Sequence, residues 1–348
     1  MIKTIVAWCV FGLLLAAGFS EARTVSRFSG VSLRFDAPIC GETAFRARRH
    51  AVNADTFWPT FWGESAATLD AGARQTNTAV INFSGDASLV WNAEFIAGTA
   101  PSSADDSGVA VSESLARGLW GSVDIVGMGV YVNGEPRTVR GVFSGTKDLA
   151  LVSFHIEDTA QSFTVAELSG NITRARAESF AIAAGLGRPT HILTGGAGAV
   201  AWFMAVLPVL IPALYGFVLL VVHIKKHYPR AAAPLFFAGL VLFAVLLPFL
   251  LNRAPDWLIP TRWSDFAFWG ELANQATASL REFLSVNPTL RDVELRIHLL
   301  RQGIIMLFSS CVGISISCRL SFVGNFRQHI TDELNNLDNY DKDDDGAD

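Results

Sequence analysis

Two long runs without a charged side chain, Trp202–Val222 and Ala231–Leu251, constrain this chain more than any other feature. Each is long enough to cross a hydrocarbon core of about 30 Å at a rise of about 1.5 Å per residue. Between them, His223-Ile224-Lys225-Lys226-His227-Tyr228-Pro229-Arg230 carries three fixed positive charges and no acid. Such a turn marks the cytoplasmic side of a membrane. The pair therefore predicts a helical hairpin whose tip lies inside the cell. Only 17% of the 348 residues are charged and 51% are apolar, against roughly a quarter charged in a soluble domain. That content excludes disorder of the whole chain. A net charge of -5 leaves no basic surface for nucleic acid. Four cysteines, three of them in apolar runs (Cys9, Cys311, Cys318, with Cys40 apart), exclude a disulfide-stapled secreted module.

A third apolar segment, Gly303 to Cys318, is shorter and rich in serine, bracketed by Arg301 and Arg319. Ser309, Gly313 and Ser317 recur every four residues on it, the small-residue spacing that lets another helix approach closely. These three are the candidate helix-packing residues. At the N-terminus, Lys3 precedes an uncharged run from Thr4 to Ser20. This fits either a signal peptide or a first transmembrane helix; in both cases the following residues are exported. The expected division is 1–22 as that signal or helix, 23–195 as an exported domain, and helices over 198–224, 231–252 and 303–320. An external loop over 253–302 and an acidic cytoplasmic tail over 321–348 complete it. The expected home is the inner or plasma membrane, crossed several times.

The exported part alternates short apolar runs with Gly, Asn, Asp and Pro, the pattern of strands and turns. Ala79–Phe83, Arg137–Phe143 and Leu149–Phe154 read as strands. Val130-Tyr131-Val132 leads through Asn133-Gly134 into the second of these, a hairpin signal because Asn-Gly tolerates positive φ. Ser112 to Gly121 reads as a two-turn helix with Leu115, Leu119 and Trp120 on one face and Gly121 as its stop. The fold class is α+β: a mixed α/β exported domain joined to an all-α bundle of three to four transmembrane helices.

Several of these pieces come in a characteristic order. Gly85-Asp86-Ala87-Ser88-Leu89-Val90 is followed by Gly98-Thr99-Ala100, then Gly108 to Ala116, then Leu119-Trp120-Gly121. Asp124 to Val130 and Val139-Arg140-Gly141-Val142 close the series. The ordered set, over roughly 75–147, resembles the end of the MacB-type periplasmic core domain of FtsX-like ABC transporter permeases. That resemblance implies one helix, a large exported domain and three further helices, with a separate ABC ATPase as cytoplasmic partner. Lys225, Lys226 and Arg230 in the hairpin tip are then its contacts. It also implies pairing through the transmembrane helices, with the same or a related chain. The chain departs from the family in its long loop at 252–302 and its short, serine-rich last helix.

Chemistry finds little support. No Gly-x-x-x-x-Gly-Lys-Ser/Thr run cradles phosphates, and neither a Gly-x-Ser-x-Gly elbow nor a His-Glu-x-x-His helix occurs. His50, His155 and His191 are the histidines of the exported domain, none with a local partner set. His223 and His227, four apart, read as interfacial histidines before they read as metal ligands. Asp341-Lys342-Asp343-Asp344-Asp345-Gly346 opens like a calcium loop but lacks the acid at its twelfth position, so a solvated, disordered tail is expected. Arg46-Ala47-Arg48-Arg49-His50 reads as a solvated basic loop. No catalytic residue, cofactor or metal is expected.

In the external loop, Trp257, Trp263, Phe266, Phe268 and Trp269 suit a membrane–water boundary. Ser264 is placed to cap an amphipathic helix carrying Phe266, Trp269, Leu272, Ala276 and Leu280, and Asn287-Pro288-Thr289 to break it before a helix opened by Thr289. Two functions remain as expectations. One is a non-catalytic membrane subunit of a MacB/FtsX-type complex, relaying motion between a cytoplasmic ATPase and the exported domain. The other is a membrane-anchored accessory or binding protein with no ATPase partner.

Overall fold

The computed structural model describes residues 2–28, 30–53, 58–102, 104–154, 161–170, 172–194, 196–227, 229–251 and 266–344. His155, Trp257, Trp263, Ser264 and the end of the aspartate run therefore lie outside the described residues. The chain divides into two compact units. One, the head, is Arg27–Gly198 together with Asp265–Arg296; the other is Met1–Ser26, Ala199–Ser264 and Ile297–Asp348.

The head is built in chain order from β1 (Val31–Cys40), α1 (Gly41–Asn53), β2 (Pro59–Asp70), β3 (Gln75–Ser84), α2 (Ala87–Val90), β4 (Phe95–Gly98) and β5 (Gly108–Ser112). It continues through α3 (Glu113–Trp120), β6 (Gly129–Val132), β7 (Glu135–Phe143), β8 (Leu149–Ser153), β9 (Ser162–Leu168), α4 (Arg174–Ala183) and β10 (His191–Thr194). Among the described residues these strands form one sheet in the order β10-β1-β9-β2-β3-β8-β5-β7-β4, with β6 against β2 and β7. The β3–β8 and β5–β7 pairs are parallel.

Side chains alternate across this sheet, as the two-residue period of a strand requires. Phe61 and Val80 face one side while their neighbours Trp62 and Ile81 face another. On the first face, Ala44, Ala47 and Ala51 of α1 and Ala177, Phe180 and Ala181 of α4 pack on β1, β9 and β2. Farther along, Leu115, Ala116 and Leu119 of α3 cover Val109, Val139 and Val152. On the opposite face, Ala87 and Val90 of α2 lie over Ile81, Phe83 and Leu151. The basic run at 46–50 thus lies in a helix, where a loop was expected, with Arg46, Arg49 and His50 exposed and Ala47 buried. The alanines buried three and four apart supply its helical face.

Local chemistry accounts for the turns. The two-residue link between β6 and β7 puts Asn133 at φ 50° and Gly134 at φ 85°, the positive pair that matches the twist of a hairpin. The Asn133 Oδ1 also accepts the Thr68 N–H at 2.9 Å, joining this turn to β2. Ser112 caps α3 by accepting the Leu115 N–H at 3.3 Å, and the same oxygen accepts the Leu149 N–H at 3.2 Å. Gly121, at φ 74°, stops the helix in a left-handed conformation that a side chain would disfavour.

The second unit is helical. It contains the N-terminal helix, Ile2–Ser26, and nearly all of the two hairpin helices, Ala197–His227 and Pro229–Leu251. The strap helix, Phe266–Ser285, belongs to the head. The long helix, 55 residues over Leu290–Asp344, starts in the head and continues in the helical unit. It runs on to Asp344, where an acidic disordered tail was expected to follow residue 320. Among the described residues, Ile5–Ser26, Ala197–Lys226 and Leu290–Cys318 are long and apolar enough to cross a membrane.

Replacing Ser112 by Ala removes one acceptor serving two backbone donors. A loss of about 1–2 kcal/mol is expected, read as a lowered melting temperature with the β-sheet signature retained.

Candidate functional site

The sheet face opposite α1 and α4 is polar where β1, β9 and β2 meet. The register sets Ser32 beside Glu167 and Arg34 beside Val165 on one side of β9, with Thr60 and Trp62 in the same rows on the other. Alternation therefore directs Ser32, Arg34, Thr60, Trp62, Glu64, Val165 and Glu167 to one face. Arg34 and Glu167 are nevertheless only 6% and 2% exposed. What covers them is the first turn of the long helix.

That turn brings two charges of its own. Arg34 Nη2 donates to Asp292 Oδ1 at 2.9 Å, and the Arg291 guanidinium pairs with Glu167. Glu167 also accepts from Ser32 Oγ at 2.7 Å and Trp62 Nε1 at 3.3 Å. The Arg34 guanidinium sits 5.1 Å from the centre of the Trp62 ring, close enough for attraction to its π-face. The Leu290 N–H donates to Glu64 at 2.6 Å. Glu64 lies at the exposed rim of the face, yet desolvation at its carboxyl raises it above the usual range. The hydrogen bond from Leu290 and the charge of Arg34 oppose that shift.

The turn is held in shape by its own cap. Thr289 Oγ1 accepts the Asp292 N–H at 3.2 Å while Asp292 Oδ2 accepts the Thr289 N–H at 3.1 Å. This is a reciprocal capping box with Asp in the place Glu usually takes. Pro288 keeps the strap helix, which ends at Ser285, from continuing into it.

The strap helix has its own attachment. Glu282 receives two bonds from Arg174, at 2.7 and 3.1 Å, and a weaker one from the Ile192 N–H at 3.4 Å. His191 Nδ1 stands 3.9 Å away. The Arg174 hydrogen bond holds the Glu282 carboxyl below its ordinary range. Arg296 closes the far end by donating to the Phe283 and Val286 carbonyls. Thus 266–296 is fastened to the rest of the head by charge at two places.

None of these ionic residues is among the candidates read from the sequence, apart from His191. Ser-Leu-Arg-Phe in β1 looks like a strand with one wet face, and nothing local announces that residues some 260 positions later will cover it. His50 lies exposed on α1, with its ring 6.2 Å from that of Phe180. Among the described residues no group of three or more His, Cys, Asp or Glu is placed to hold a metal.

In the helical unit, Ser309, Gly313 and Ser317 lie along the long helix. Ser309 is fully buried. A β-carbon on Gly313 would collide with Pro212 of the first hairpin helix and come within 3.1 Å of Phe11 of the N-terminal helix. Ser317 Oγ donates to the Gly313 and Pro212 carbonyls at 3.1 and 3.4 Å. Gln302 donates to the Ala201 carbonyl at 3.3 Å, and Glu21 pairs with His298 Nδ1 at 2.6 Å. Lys225, Lys226 and Arg230 are exposed at the hairpin tip.

Gly313→Leu is expected to force the long helix off Pro212 and Phe11. The check is a lower thermal stability in detergent and lost cross-linking between cysteines introduced on the two helices. For the strap, a carboxyl with a depressed pKa contributes stability above its unfolded pKa and loses it as pH falls through the folded value. Glu282→Gln should therefore melt below the wild type at neutral pH, and the gap should close on acidification through the carboxylate range.

No family model matches the chain, and no curated protein sequence does either. Solved structures similar to it include the extracellular domain of the noncanonic ABC-type transporter YknZ from Gram-positive bacteria. It is 12% identical, covers 47% of this chain and 97% of its own, and has a TM-score of 0.38. The periplasmic region of MacB from Actinobacillus actinomycetemcomitans is 14% identical over 49% of this chain and 91% of its own, with a TM-score of 0.40. A domain of a permease protein from Porphyromonas gingivalis is 13% identical over 48% and 89%, with a TM-score of 0.32. MacB, whose periplasmic core the ordered segments at 75–147 resemble, is thus among the structures this chain is similar to.

Proposed function

We propose that this protein is the non-catalytic membrane subunit of a MacB/FtsX-type system, and that it relays motion between a separate cytoplasmic ATPase and an exported head. One observation carries the reading. The long helix supplies both the charged turn fastened to the head sheet and, farther along the same helix, the apolar segment that ends at Cys318 and gives Leu290–Cys318 membrane-spanning length. A displacement of that span has a covalent, helical route to a defined place on the sheet. The charge-free runs Trp202–Val222 and Ala231–Leu251 and the basic tip between them orient the chain with 223–230 inside and the head outside.

In this reading the N-terminal helix is retained. Its support lies in its contacts with the long helix: Phe11 and Gly18 lie beside Gly313 and Ile305, and Glu21 pairs with His298. Lys225, Lys226 and Arg230 then offer the ATPase a compact basic contact. The small-residue stripe serves packing between the helices of one chain, which leaves pairing between chains to other faces.

Isolation of the tagged chain in mild detergent is expected to recover an ABC ATPase, and Lys225→Glu with Lys226→Glu to reduce that recovery. Isolation that never recovers an ATPase overturns the relay and leaves a membrane-anchored binding protein.

A further inference from the structure

We propose that the first turn of the long helix is a separable latch on the head that works by exchange of partners. Docked, Arg34 holds Asp292 and Glu64 holds the Leu290 N–H; released, Arg34 and Glu64 hold each other.

The docked arrangement selects one register. Consecutive residues of opposite sign, Arg291 and Asp292, meet Glu167 and Arg34. A slip of the turn sets like charges together or leaves one buried and alone. Buried ion pairs of this kind contribute little net stability when made and cost heavily when half-made. The contact is therefore decisive about position and modest in strength.

Each side of the contact also keeps partners when the other leaves. Glu167 retains Ser32 Oγ and Trp62 Nε1. Arg34 retains the face of Trp62. Its Nε and Nη1 have no hydrogen-bond partner in the docked arrangement, so they are free to take a carboxylate. Glu64 is the carboxylate at hand: the register puts it on the same face as Arg34, both are engaged by the same turn, and release removes the Leu290 donor that occupies it. On the helix side, the Thr289–Asp292 box is internal to the turn and departs with it intact. Pro288 separates the turn from the strap helix, which Arg174 continues to hold through Glu282.

The test is hydrogen exchange of the full chain in lipid nanodiscs, read without any partner, so its outcome is independent of the relay. Amides of 290–296 are expected to exchange through an opening separate from that of β3, β5 and β8. Glu64→Gln keeps an acceptor for Leu290 but removes the charge that Arg34 takes on release. It should slow exchange of 290–296 by about tenfold, the scale of one charge-assisted hydrogen bond, whereas Asp292→Asn should speed it. In an Arg34→Gln background the effect of Glu64→Gln should vanish, as a double-mutant cycle requires of coupled residues. Exchange of 290–296 only together with the core strands overturns the latch. Unchanged or faster exchange in Glu64→Gln overturns it too, and so does a Glu64→Gln effect that persists without Arg34. Should Asp292→Asn fail to fold, the Glu64 and Arg34 variants decide alone.

Discussion

Two guanidinium groups and two carboxylates, those of Arg34, Arg291, Glu167 and Asp292, sit almost out of water on a single sheet face. Removing any one of them leaves its partner buried and uncompensated, at a penalty of about 3–5 kcal/mol. The rest of the head arranges itself around that constraint. Trp62 gives its N–H to Glu167 and its ring to Arg34, so the largest buried side chain of β2 supports the ion pairs from beneath. The capping box of Thr289 and Asp292 fixes the carboxylate that Arg34 needs. Ion pairing here specifies where a helix must sit, a task that apolar packing on a flat sheet performs poorly.

Legibility in the sequence followed the range of the forces involved. The β6–β7 hairpin and α3 are written in their own residues, because Asn133-Gly134, Ser112 and Gly121 act on backbone within a few positions. The outer strands are less plain. In β1, Ser32 and Arg34 alternate with Leu33 and Phe35, which reads as one wet and one dry face. The wet positions are in fact buried by residues from the other end of the chain. The same reasoning explains α1, whose Arg46, Arg48 and Arg49 hide the meaning of Ala44, Ala47 and Ala51. Alanine contributes little hydropathy, and its placement at helical spacing is the only local sign of a buried face.

The helical unit follows the logic of packing among apolar surroundings, where close approach and internal hydrogen bonds replace the hydrophobic effect as the source of helix association. Pro212 lacks an N–H and breaks the regular ladder of its helix. The long helix meets it with Gly313 and with the hydroxyl of Ser317. A missing side chain and a donated proton thereby fit one irregularity.

The head is discontinuous: its sheet ends near Thr194, while the residues that neutralise Arg34 and Glu167 are Asp292 and Arg291, about a hundred positions later. During synthesis the sheet face is complete before either of its counter-charges exists, and both hairpin helices must be made in between. Maturation of this domain is thus tied to the order of translation, and insertion of the hairpin into lipid becomes a step on the folding pathway of the part that lies outside it.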